Sequence, residues 1–471
     1  MVPSPSRSLW FTDALLPDGW APRVRLHLRD GAITEIQRDV APVSGEERHG
    51  PVVPGLPNLH SHAFQRGLAG LAEVRGPGED SFWGWRDVMY RFVDRIGPED
   101  VEALAALAYM EMLESGFTRV GEFHYLHHAA DGAPYANRAE LATRIAAAAA
   151  QTGIALTLLP VFYAHSGFGG LAPGHGQRRF INDLDGFAAL MAASRVAVAP
   201  LDDAVVGIAP HSLRAARLED ITAILPLAAG GPVHIHVAEQ IKEVEDCLAW
   251  SGRRPVELLF ESAPVDARWC LIHATHMTEA ETRQLAQSQA VAGLCPITEA
   301  NLGDGVFPAA EFARGGGRYG IGSDSNVLVD AAEELRTLEY GQRLRLRARN
   351  VLASEVLAGE VPPGKAQRST GRALFDAALA GGGQALQAPR GTADWGITIG
   401  APADLVTLDP GRSALVARAG DAWLDGWIFG ARRGAVDGVW RRGRKYVTNG
   451  LHHDHERIRG RFARVMERVL A

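Results

Sequence analysis

Cysteine is scarce in this chain. Cys247, Cys270 and Cys295 are the only three in 471 residues, and none belongs to a Cys-x-x-Cys pair. Zinc ribbons and thioredoxin-like redox chemistry are thereby excluded. An odd, sparse set fits reduced core thiols in a cytoplasm. Positive charge is not in excess either. The 48 Lys and Arg stand against 55 Asp and Glu, a formal net charge of −7, which is the wrong balance for a nucleic-acid-binding face. No uncharged apolar run approaches a membrane span, since Ile145–Ala150 is short and reads as helix. The opening Met1-Val-Pro-Ser-Pro-Ser-Arg7 has no apolar signal core. No G-x-G-x-x-G follows an early strand. Gly315–Gly317 and Gly381–Gly383 read as turns, and no internal repeat or low-complexity tract is present. What remains, 46% hydrophobic and 22% charged, is ordinary globular composition with length for a large core and two domains.

The chain opens in β texture. Val24, Leu26 and Leu28 alternate with Arg23, Arg25, His27 and Arg29, the period of a half-buried strand. Strands are expected over 8–12, 23–29 and 32–37, with Asp30-Gly31 as a hairpin turn. From about residue 54 the texture becomes strand–helix alternation. Buried strands are expected at Val52–Leu59, Arg119–Tyr125, Ala155–Phe162, Val205–His211, Pro232–Glu239, Trp269–Thr275, Ala290–Pro296 and Tyr319–Asp324. Helices are expected at Pro98–Ser115, Arg138–Thr152, Leu218–Leu227, Thr278–Gln287 and Ala331–Arg345, then Leu352–Leu357 and Ser369–Ala380. Eight such strands over about 270 residues match an α/β fold of the (β/α)₈ TIM-like barrel type. β texture returns at 400–409, Gly426–Phe429, Val436–Arg442 and beyond Lys445, and an amphipathic helix closes the chain. The expected organisation is a discontinuous small β-sandwich domain (1–53 and 395–448), the barrel (54–394) and a C-terminal helix (449–471).

His60-Ser-His62 is where chemistry enters. Histidines at i and i+2 face the same side of a strand. A lone His-x-His is more often an incidental surface pair. Here, though, His236, His273 and Asp324 stand at the ends of other predicted strands, and a barrel gathers strand ends into one cavity. Imidazoles and a carboxylate converging there suit Zn²⁺ with an open position for water.

This set, with Pro54-Gly-Leu-Pro-Asn-Leu-His-Ser-His62, Gly320-Ile-Gly-Ser-Asp324 and Ala401-Pro-Ala-Asp-Leu-Val406, resembles the amidohydrolase superfamily. The resemblance implies that His60, His62, His236 and Asp324 bind the metal. No lysine ends strand four, where His211 stands instead, which implies one divalent ion per subunit. Zn²⁺ is expected first, although iron or manganese fit the same ligands. Asp80-Ser-Phe-Trp-Gly-Trp-Arg86 and Glu122-Phe-His-Tyr125 are similar to the iminohydrolase branch that acts in histidine degradation. That branch implies hydrolytic deimination of N-formimino-L-glutamate to N-formyl-L-glutamate and ammonia. Glu239 would then be general acid/base, His273 an electrostatic stabiliser, and Asp324 both ligand and proton acceptor. A substrate with two carboxylates needs forked cations. Arg86, in a Trp-rich loop, and Arg214 are the candidates, with Gln65, Tyr125 and His211 as polar partners. Arg86 could equally be a solvated arginine packed on Trp83 or Trp85, and Trp83 and Trp85 are expected to shape the pocket or a dimer contact. Arg66 reads as a loop charge. Glu122, His124, His127 and His128 are second-layer or structural groups, and His452, His453 and His455 a solvated helix start.

The rival readings are another deaminase of the superfamily, of guanine or adenosine-analogue type, and an inactive barrel used as a scaffold. A scaffold usually loses ligands, and none is missing here. The expected partner is a small dicarboxylate, with no nucleic acid and no membrane, in a cytoplasmic homodimer.

Overall fold

The computed structural model describes residues 7–75, 82–355, 369–387, 395–432 and 434–471. Asp80, Ser81 and residues 356–357 of the sequence-based reading lie outside them. Both chain ends build one nine-stranded sheet. Its strands are β1 (Arg7–Leu16), β2 (Gly19–Arg29), β3 (Ala32–Gln37), β4 (Glu47–His49) and β5 (Val52–Pro54). Later strands of the chain complete it. The β2–β3 hairpin turns at Asp30 and Gly31, with φ of 53° and 83°, which suits a two-residue turn with both φ values positive.

The barrel strands follow: β6 (Leu56–Ser61), β7 (Phe117–His124), β8 (Ala155–Phe162), β9 (Val205–Val206), β10 (Ala209–Pro210), β11 (Val233–Val237), β12 (Trp269–His273), β13 (Val291–Leu294) and β14 (Arg318–Ile321). β6, β7, β8 and β10 form one parallel arc and β11 to β14 the other. Parallel bridges close the ring: Ile208 with Val233 and Ser212 with His236 on one seam, Ser61 with Asp324 on the other. Two of the three closing bridges therefore involve the residues expected to bind metal or their direct neighbours. β7 and β8 are buried along their whole length, as parallel strands covered on both faces must be.

The connecting helices are α1 (Phe82–Val93), α2 (Pro98–Ser115), α3 (Glu140–Thr152), α4 (Leu184–Val198), α5 (Leu218–Ile224), α6 (Ile241–Ser251), α7 (Pro255–Ser262), α8 (Glu279–Gln287), α9 (Pro296–Leu302), α10 (Ala309–Arg314), α11 (Ala331–Leu346), α12 (Val351–Glu355) and α13 (Thr370–Leu386). α2 shows why its ends fall where they do. Pro98 opens it, Asp100 accepts the Gly97 N–H at 2.8 Å, and Gly116 at φ 104° stops it. The second half of the small sheet then follows as β15 (Leu405–Leu408), β16 (Val436–Arg441), β17 (Arg444–Thr448) and β18 (Leu451–His452). α14 (Ala422–Asp425) lies between β15 and β16, and α15 (His455–Leu470) ends the chain. Among the described residues no helix is long and apolar enough to cross a membrane.

Several expectations need correction. Val52–Leu59 is two strands in different sheets, broken at Gly55, whose amide donates to Asp404 O at 3.0 Å. A side chain at Gly55 would collide with Thr118. Gly381–Gly383 is not a turn but lies inside α13, which plugs the barrel floor. A Cβ at 381 would overlap the Tyr319 carbonyl, at 382 it would press on Pro57 at 3.1 Å, and at 383 it would strike Trp395. Gly426–Phe429 is a wide helical turn continuing α14, not a strand. Arg86 lies on α1, not in a loop. His452 is buried, with Nε2 on Thr152 O at 2.9 Å, and His455 pairs with Glu114 at 2.8 Å, so neither is simply solvated. Helices α1, α4, α6, α7, α9, α10 and α14 have no counterpart among the expected ones.

Candidate active site

β6 delivers His60 and its exit delivers His62. β11 delivers His236, and the turn after β14 delivers Asp324. The β6–β14 seam is tied across 265 residues of sequence. Asp324 N–H donates to His60 O and His62 N–H to Asp324 O, both at 2.9 Å. Asn58 Nδ2 donates to Ser323 Oγ at 2.6 Å, Ser323 Oγ to Asn326 Oδ1 at 2.6 Å, and Asn326 Nδ2 to Ser61 Oγ at 3.1 Å. Every member is buried, and a fully satisfied buried network fixes geometry.

The donor atoms suit a divalent ion. His62 Nδ1 faces Phe123 O at 2.9 Å and His236 Nδ1 faces His211 O at 3.0 Å. A ring nitrogen against a carbonyl must carry the proton, so each Nε2 presents a lone pair. His60 Nε2 lies 3.1 Å from both other Nε2 atoms, and Asp324 Oδ1 is 3.4 Å from His60 and 3.2 Å from His62. Burial lowers His60 to a pKa of about 3 and His236 well below its ordinary range. Both are therefore neutral, and lone pairs crowd a carboxylate. His60, His62, His236 and Asp324 place one donor atom each within 4.8 Å of one another. A cation is what such a set needs.

Beside it stand the proton-handling groups. Glu239 Oε1 and Asp324 Oδ2 each lie 3.7 Å from His273 Nε2. On the other side of the ring Nδ1 meets Glu299 Oε1 at 3.2 Å. Burial pulls the His273 pKa down, but Glu239, Glu299 and Asp324 outweigh it and lift it to about 10. Burial raises Glu239 above the ordinary carboxylic range, against the opposing pull of His273 and Arg214. Ala238, His273 and Asp324 have φ of 52°, 67° and 45°. That left-handed backbone costs a non-glycine residue about 1–2 kcal/mol, and it marks these strand tips as shaped for chemistry.

One cavity opens over this group, and its concave wall of aromatic and convergent polar side chains is what a small-ligand site requires. Gln65, Arg86, Tyr125, His211 and Arg214 all line it, with His62, His236, Glu239, His273 and Asp324. Gln65 Nε2 donates to Tyr125 OH at 2.6 Å, leaving Gln65 Oε1 buried and free of a partner. Arg86 lies over Trp83 at 4.4 Å and still reaches the cavity, where Trp85 forms part of the wall. Arg66 makes a two-pronged pair with Glu111 at 2.6 and 3.0 Å and takes no part. Glu122 accepts the Ala63 N–H at 2.8 Å and the Tyr109 hydroxyl at 3.0 Å, which supports the turn after His62. His124, His127 and His128 are buried and do not line the cavity. Cys295 offers its thiol near His273 and Asp324, but burial keeps it protonated.

Sequence reasoning missed Tyr90, Tyr163, Phe180, Thr298 and Ser325 on the cavity wall. It also missed Glu299 and Glu243, which act through other residues. The only sequence trace of Glu243 is its i+4 spacing from Glu239.

Comparison with known proteins agrees with this geometry. Residues 52–360 match the amidohydrolase family, and residues 9–50 match the formimidoylglutamate deiminase HutF N-terminal domain. The formimidoylglutamate deiminase of Pseudomonas aeruginosa is 50% identical over 463 residues, 97% of this chain and 98% of that one. A crystal structure of an amidohydrolase from Brucella melitensis superposes with a TM-score of 0.92 at 54% identity, covering 99% of this chain and 100% of the other. An adenosine deaminase from Xanthomonas campestris with bound zinc shares the fold at 21% identity, with a TM-score of 0.78 over 98% of both chains. With the amidohydrolase family matching residues 52–360, well over half of the chain, and a relative half identical over nearly the whole length, the chain belongs to the amidohydrolase family and, within it, to the formimidoylglutamate deiminases.

Proposed function

We propose that the chain hydrolyses N-formimino-L-glutamate to N-formyl-L-glutamate and ammonia, in histidine degradation. The observation that carries this is the meeting, in one cavity, of the His60, His62, His236 and Asp324 donors, the Glu239–His273 pair and two arginines, in a chain half identical to a formimidoylglutamate deiminase. Among its relatives, one that acted on a nucleobase would have no use for two arginines on the cavity wall.

His60, His62, His236 and Asp324 would hold one Zn²⁺. When bound, the ion supplies Lewis acidity and makes water acidic near neutral pH. Arg86 and Arg214 hold the substrate carboxylates, and Gln65, Tyr125 and His211 orient its polar groups. Water adds to the formimino carbon as Asp324 accepts its proton. Glu239 moves a proton to the leaving nitrogen, and the C–N bond breaks to release ammonia. The His273 N–H faces the developing charge on the tetrahedral carbon's substituent. Glu299 holds the ring for that task. The protein is read as a cytoplasmic homodimer, the commonest symmetric assembly, which light scattering can check.

The test is ammonia release from N-formimino-L-glutamate, guanine and an adenosine analogue, with and without chelator. Release from the first alone is expected, lost on chelation and restored by Zn²⁺, with about one ion per chain by metal analysis. Release from a nucleobase or nucleoside alone would overturn the reading.

A further inference from the structure

We propose that Glu243 is a positioning residue that sets Glu239 and Arg214 together, and so couples the proton-transfer group to the substrate-carboxylate site. The inference rests on the function proposed above and assigns a residue that touches neither substrate nor metal.

Glu243 is the third residue of α6 and is completely buried. Its two oxygens divide their work. Oε1 accepts the Ala238 N–H at 3.1 Å and Oε2 the Glu239 N–H at 3.2 Å. These amides belong to the tip of β11, where Ala238 is in the left-handed region. The turn that swings Glu239 over the cavity is thus held from behind by one carboxyl group. A buried carboxyl of this kind needs full compensation. Beyond the two amides it has Arg214, whose Nη2 lies 3.8 Å from Glu243 Oε2 and 3.6 Å from Glu239 Oε2.

One guanidinium therefore stands between two carboxyl groups, close to both and tightly paired with neither. A locked arginine–carboxylate fork would have N···O distances of about 2.7–2.9 Å. Arg214 Nε has no partner at all. The arginine is held in place by charge while its N–H groups stay available to a carboxylate arriving in the cavity. Tyr90, Tyr163 and His211 also face it. Without Glu243, Arg214 would have Glu239 alone to turn to. It would then close on the acid/base group and be withdrawn from the substrate. Glu239 would also lose the amide anchors that set its reach toward His273.

Glu243→Gln keeps the volume but turns one acceptor into a donor against a backbone N–H and removes the charge facing Arg214. A displacement of about 1 Å in a reacting group costs on the order of a hundredfold. The variant is expected to lose about tenfold to a hundredfold in kcat and to raise KM for N-formimino-L-glutamate about fivefold to tenfold, with bound metal unchanged. The deciding measurement is a double-mutant cycle with Arg214→Met. In that background Glu243→Gln should still lower kcat but should raise KM no further, because the cation it disciplines is gone. A buried glutamate with a merely structural role would lower the melting temperature and the active fraction. It would leave KM alone, and its effect would be the same in both backgrounds. That result, or wild-type constants in Glu243→Gln, overturns the proposal. If Glu243→Gln does not fold, Glu243→Asp serves in its place. It keeps the charge but retracts it by a methylene from both the amides and Arg214, so it should lower kcat and raise KM, the rise in KM vanishing in the Arg214→Met background; an unchanged KM in the wild-type background would overturn the proposal. Wild-type protein that releases no ammonia from this substrate would instead refute the underlying function, before any variant is compared.

Discussion

At Glu239 two forces oppose each other. Burial favours the protonated acid, while His273 and Arg214 favour the carboxylate. A buried carboxyl group held between such opposing pulls is suited to give and take a proton during turnover. Glu239→Gln removes the proton transfer and leaves the donor set intact. It should keep its metal and lose about 10²–10⁴ in kcat, the ordinary contribution of general acid–base catalysis. Metal analysis beside the ammonia assay checks both halves, and normal turnover would sink the assignment. Arg86 bears on a different constant. Its guanidinium rests on Trp83 and points at the cavity, so Arg86→Ala should raise KM about tenfold or more with kcat little changed. An unchanged KM would remove it from the substrate site. The residues that could be read from sequence are those that end a strand and carry a distinctive side chain, such as His60, His62, His236 and Asp324. Glu243 and Glu299 could not be, because their chemistry is exerted on backbone amides and a ring nitrogen that only the fold brings near.

The strands were legible because parallel barrel strands are continuous apolar runs, and Ala155–Phe162 falls on β8 residue for residue. Helices with mixed faces or short spans, such as α9 and α10, carry too little periodicity to stand out. The glycine run 381–383 misleads for a physical reason. Three glycines weaken a helix, so they read as a turn. Yet α13 must approach the barrel floor so closely that no side chain fits between it and Tyr319 or Pro57. His234 Nε2 on Ala385 O at 2.9 Å and Thr157 Oγ1 on Leu386 O at 3.1 Å show how tightly its end is seated. Gly381→Ala, which would be stabilising in an isolated helix, should here destabilise by about 1–3 kcal/mol through overpacking, read from the urea midpoint. A stabilised variant would mean that the floor yields. The same closeness explains why Val52–Leu59 looks like one strand: Gly55 lets the chain step from one sheet to the other without leaving an apolar stretch.

At the scale of the whole molecule the small sheet and the barrel are joined by charge as well as apolar contact. Arg441 on β16 pairs with Asp404 and with Asp203, and Asp203 also meets Arg119 of β7 at 3.3 Å. Arg441 is 4% exposed and Asp203 21%, so solvent screens the array little. Burial alone would raise the Asp203 pKa, but Arg441 and Arg119 outweigh it and hold it below the ordinary value. The sign follows from linkage. A carboxyl group with a lower pKa in the folded state adds stability that is complete above its unfolded value, about 3.9. That stability is lost as pH falls through the folded value. Arg441→Met leaves Asp203 and Asp404 short of a cation, and breaking a buried pair from one side costs about 3–5 kcal/mol. The variant should therefore melt well below wild type at pH 7. The gap should narrow as pH falls below about 4 and through the folded value of Asp203, because that carboxyl group, once protonated, needs no partner. Melting temperatures of the two proteins between pH 7 and pH 3 decide the matter. Parallel curves would show that the array does not carry the acid dependence.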